Sequence, residues 1–87
     1  MANLEQIFGD IEALFERLIH QQRDRIQDVA LDILPHLSPE QLQDPQEYPE
    51  VATDTMFHFE DGVLAGLMRA RAALHSTIFP AHRPPAA

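Results

Sequence analysis

From Thr53 to Phe79 the chain reads as one helix with almost no face suited to water. An ordinary surface helix shows one apolar stripe and one charged face. Here Met56, Phe59, Val63, Leu67, Ala70, Leu74 and Ile78 follow one side at helical spacing. The other side is largely Gly62, Ala65, Gly66, Ala72, Ala73 and Ser76. Bulk on one side and small residues on the other call for neighbours on both. A chain of 87 residues has only one other long helix to offer. The expectation is self-association, with helices approaching most closely at Gly62, Gly66, Ala70 and Ala73.

That other helix spans about Leu4 to Leu34. Leu4, Ile7, Ile11, Leu14, Leu18, Ile26, Val29 and Ile33 recur at helical spacing within it. Asn3 is a suitable cap, and Glu5 places negative charge in the first turn. Gly9 costs this helix about 1 kcal/mol relative to alanine but does not break it. Pro35 disfavours helical backbone at Leu34 and ends the run.

Between the helices, Ser38-Pro39-Glu40-Gln41 combines a cap, a proline at the first helical position and a capping-box glutamine. One short helical turn is expected through about Gln43. Asp44-Pro45 and Tyr48-Pro49 then predict extended or turning backbone. Tyr48 and Val51 are expected to tuck against the end of the helices. Thr53 or Asp54 caps the second long helix, which should stop before Pro80.

These elements predict an all-α fold, an antiparallel helical hairpin with a short helical turn in its connection. Each hairpin keeps an apolar flank, and pairing two hairpins in a four-helix bundle covers both. A homodimer is the first expectation and a tetramer the alternative. Residues 1–79 form the single domain, and 80–87 a flexible proline-rich tail.

Charge narrows the partners. The net charge is -8, and residues 38–61 hold seven acids and no base. An acidic chain without a basic stripe is unsuited to nucleic acid or to anionic membranes. No apolar run approaches the ~18 residues of a membrane span. The N-terminus lacks the basic start and apolar core of a secretion signal. There is no cysteine, hence neither disulfide nor thiolate metal site. A cytoplasmic location is expected.

Three charged residues fall inside the apolar stripes: Arg25 on the first helix, Glu60 and Arg71 on the second. Folding the hairpin brings Arg25 and Glu60 to heights that differ by only ~5 Å. They are expected to form a buried polar pair, with Gln22 and His58 nearby. A buried carboxylate without a partner is costly, and a guanidinium offsets that cost. Such a layer fixes helix register and oligomeric state.

Signals of chemistry are weak. His58, Glu60 and Asp61 cluster at the head of the second helix and are the candidate metal ligands. Glu16, His20 and Asp24 share a helical face that points away from the apolar stripe. Yet no Glu-x-x-His pair occurs, which a di-metal helical bundle would need. His20, His36, His75 and His82 read as exposed surface histidines. No nucleophile elbow or phosphate-cradling glycine loop is present.

The composite expectation is a small acidic homo-oligomeric helical protein. It would serve as a protein–protein interaction or accessory subunit, with no catalysis and no cofactor. Two alternatives stand beside it. One is a bundle binding a divalent metal or small ligand near His58, Glu60 and Arg25. The other is a chaperone- or antitoxin-like partner whose flank another protein covers.

Overall fold

The computed structural model of the protein describes residues 3–78. Its described residues are all-helical and contain no strand. Helix α1 spans Leu4–Ile33, α2 is the single turn Pro49–Ala52, and α3 spans Thr55–Ile78. The expected tail over 80–87, and Phe79 as the end of the second helix, lie outside the described residues.

Each boundary has a local cause. The Asn3 side chain accepts the Gln6 amide at 2.7 Å and starts α1. Leu34, held extended ahead of Pro35, closes it through a hydrogen bond to the Ala30 carbonyl. The Ser38–Gln41 capping box forms in both directions: Ser38 N donates to Gln41 Oε1 at 2.8 Å, and Gln41 N donates to Ser38 Oγ at 3.3 Å. A 3-10 turn over Gln41–Gln43 follows it. Asp54 Oδ1 accepts the Phe57 amide at 2.9 Å and starts α3.

At its two later prolines the connection turns, as expected, and each turn is helical. Pro45 opens a second 3-10 turn, Pro45–Glu47, and Pro49 opens α2. Tyr48, ahead of Pro49, is itself extended. Proline at a first helical position forgoes an amide that has no partner there anyway, and its fixed φ suits the turn. The connection is thus a chain of one-turn helices.

α1 and α3 run antiparallel, so that partners late in α1 meet residues early in α3. Gln22 and Arg25 reach Glu60, Glu16 reaches Arg71, and Glu12 reaches His75. The core sits at the closed end. Ile26, Ala30, Leu37, Val51 and Phe57 are buried together, with Leu34, Leu42, Tyr48 and Leu64 packed around them. Val51 and Tyr48 close that end, with Val51 fully buried.

The open end is different. Among the described residues, none before Ile19 and none after Glu60 is buried. Yet this half carries Phe8, Ile11, Phe15, Leu18, Leu67 and Leu74, each only half-covered. Two helices side by side cannot enclose a core without a third layer.

Candidate interaction face

The hairpin has two unlike flanks. On one, Arg23, Gln27 and Glu16 of α1 stand beside Asp61, Met68 and Arg71 of α3. Glu16 and Arg71 form an ion pair there, and His75 Nδ1 lies 2.8 Å from Glu12 Oε1. The opposite flank is apolar. A groove on it is lined by Leu18, Val63 and Leu67 together with Gln21, Gln22, Asp24, Arg25 and Asp28, and a second by Met56 and Phe59 with Arg25, Asp54, Thr55 and Glu60. Ile7 and Leu14 extend the same side of α1 by helical spacing. Phe59 is 64% exposed and Met56 54%.

Small and large residues of α3 are not on opposing sides. At ~100° per residue, Met56, Phe59, Val63, Gly66, Ala70 and Ala73 share one sector roughly 120° wide. Gly62 borders it. All of these are exposed within the single chain. No charged residue of α3 falls in this sector. Ala65, Ala72 and Ser76 lie instead away from it, toward the charged flank, where Ala72 and Ser76 line a groove with Glu12 and Glu16. The expected two-sided helix is a helix with one charged outer face and one uncharged flank.

Glu60 sits between the two helices at the edge of the apolar flank. Arg25 Nε donates to Glu60 Oε1 at 2.8 Å. Gln22 Nε2 donates to Glu60 Oε2 at 2.6 Å and to the Glu60 carbonyl at 2.8 Å. Among the described residues no buried side-chain polar atom lacks a partner. The hydrogen bond from Arg25, and after it that from Gln22, hold the Glu60 carboxyl below its ordinary value despite the opposing effect of burial. The same hydrogen bond raises the Arg25 guanidinium further above its ordinary value.

The structure brings Arg25 and Glu60 together, but the pair is only half buried. The Glu60 side chain is 4% exposed, whereas that of Arg25 is 66% exposed. The guanidinium reaches its partner from the surface of the apolar flank, its stem lying beside Met56 and Phe59. Long basic side chains cover apolar surface in this way while keeping the charge wet.

The other polar candidates separate. His58 is exposed, with its ring edge-on to Phe57 at 6.2 Å between centroids, and does not join the Glu60 layer. Asp61 is exposed on the outer side. His58, Glu60 and Asp61 therefore do not converge. No cluster of three metal-ligating side chains occurs among the described residues.

Sequence reasoning missed the Glu16–Arg71 and Glu12–His75 contacts. It placed Glu16 on an outward face and treated His75 as a bystander. The available signal was register: once Arg25 is set opposite Glu60, the antiparallel count brings these oppositely charged or polar positions level. No described helix is long and apolar enough to cross a membrane. Comparisons with known protein families, curated proteins and solved structures gave no match.

Proposed function

We propose that the protein is a non-catalytic helical interaction protein. It acts as a homodimer in which two hairpins join as a four-helix bundle, in an accessory or adaptor role in the cytoplasm. The observation that carries this reading is the absence of any buried described residue before Ile19 or after Glu60. Half of each long helix thus exposes apolar surface that a second layer would cover. A short chain buries a small fraction of its surface alone, and association is a common remedy. The uncharged flank suits such a contact, and the acidic remainder keeps the assembly from growing through other faces.

The test is thermal unfolding of the full chain over a hundredfold range of protein concentration. Folding coupled to association raises the midpoint with concentration. A midpoint that does not move with concentration would contradict the proposal.

A further inference from the structure

We infer that two copies meet with α3 against α3, through the uncharged sector that holds Met56, Phe59, Val63, Gly66, Ala70 and Ala73. This rests on the homodimer reading and adds to it the surface and the facing element. The occupant of the apolar flank is a second copy of this chain, and three observations bear on it: the area available supports that occupant, and charge and the glycines place the contact on α3.

The first is area. α3 has 24 residues. At ~1.5 Å each and ~10 Å across one helix, the α3 sector offers roughly 360 Å² per copy, and the adjoining α1 side with Leu14 and Leu18 about doubles it, close to the ~800 Å² per partner of a standard stable interface.

The second is charge. The chain carries -8 overall, so two copies repel one another over most approaches. α3 presents no charged residue in this sector, whereas its outer side carries Asp61 and Arg69 and α1 carries Asp24 and Asp28 at the rim of the groove. The charge-free approach for a like-charged copy is along α3.

The third is the glycines. Beyond the local helix backbone, nothing lies within 4 Å of where a Cβ would project from Gly62 or Gly66. Packing within the chain therefore does not require glycine at either position. Each costs an exposed helix about 1 kcal/mol relative to alanine. A backbone approaching from outside the chain gives that cost a purpose. Gly66 also lies near the midpoint of α3, where two crossing helices come closest. Arg25, anchored through Nε to Glu60, lies beside Met56 and Phe59 at the border of the contact.

The chain has no cysteine, so single cysteines report contacts without interference. Val63→Cys, Gly66→Cys and Ala70→Cys are made one at a time, with Ala65→Cys and Ala72→Cys outside the sector as controls. Each full-length variant is oxidised under identical conditions, and its mass before oxidation is measured by light scattering. Two cysteines bridge only when their Cα atoms come within ~4–7 Å. Covalent dimer is expected from at least one sector variant, in most of the protein, and from neither control. Dimeric mass with crosslinks only at the controls, or at none of the five positions, would overturn the α3–α3 contact while leaving the homodimer intact. Monomeric mass for the wild type and every variant would overturn both, and would leave a different protein as the occupant.

Discussion

Arg25 Nε meets Glu60 Oε1 at 2.8 Å and ties the latter half of α1 to the second turn of α3. The carboxylate is buried and the guanidinium is not, so the two ends of this bond differ in what their loss would do. Removing the Glu60 side chain leaves Gln22 Nε2 only the residue-60 carbonyl as acceptor. Removing Arg25 leaves a buried carboxylate held by Gln22 alone. Glu60→Ala should lower the thermal midpoint of the chain by several degrees, while Glu5→Ala, at an exposed position, leaves it nearly unchanged. Glu12 is an unsuitable control because it engages His75. Circular dichroism melts of the two variants check this; equal midpoints would contradict the structural role of Glu60.

The pH dependence follows in sign from the same carboxylate. Arg25 and Gln22 hold the Glu60 carboxyl below its ordinary value in the folded chain. A group lowered on folding contributes stability that is present above its unfolded value and lost as pH falls through the folded one. The loss should begin below an unfolded value of about 4.3. Glu60→Gln, which cannot titrate, should therefore show a shallower decline in midpoint than wild type in that acid range. Parallel declines would show that other carboxylates dominate.

Phe57 and Phe59 are two residues apart on α3 and face different surroundings. Phe57 is 4% exposed in the closed-end core, and Phe59 is 64% exposed on the apolar flank. Phe57→Ala should cost about 3–5 kcal/mol and leave the chain largely unfolded. Phe59→Glu should leave helicity intact in dilute solution but weaken association. Far-ultraviolet circular dichroism separates the two. Unfolding by Phe59→Glu at all concentrations would mean that fold and assembly are inseparable.

Asp54 caps α3 through the Phe57 amide at 2.9 Å. Asp54→Ala should cost about 1 kcal/mol. In a chain of this size that is a midpoint decrease of roughly 4–8 °C. Asp54→Ser should recover most of it, since a hydroxyl can accept the same amide. No recovery would point to a role other than capping.

Much of this architecture was legible because it rests on local chemistry. The caps at Asn3 and Asp54, the Ser38–Gln41 box and the stop at Pro35 each follow from neighbouring residues. The facing of Arg25 and Glu60 followed from counting rise along two antiparallel rods. What the sequence concealed is geometry between segments. Asp44-Pro45 and Tyr48-Pro49 interrupt the helical run at Asp44 and Tyr48, and each proline then opens a new turn, a choice among turn types that spacing alone does not make. The double donation by Gln22 depends on how deeply Glu60 is buried, which no spacing reveals. His58 lies only two residues from Glu60, but two steps of ~100° carry it to the outer side. The exposure of Arg25 was hidden because a long side chain on the stripe can reach inward from the rim.

In the proposed homodimer a second copy covers the apolar flank of the hairpin. Light scattering of the full-length wild-type chain during size-exclusion chromatography, beside Phe59→Glu, tests it most directly. A wild-type mass of twice 9.9 kDa at micromolar concentration and a variant mass of 9.9 kDa are expected. A wild-type mass of 9.9 kDa throughout would contradict it.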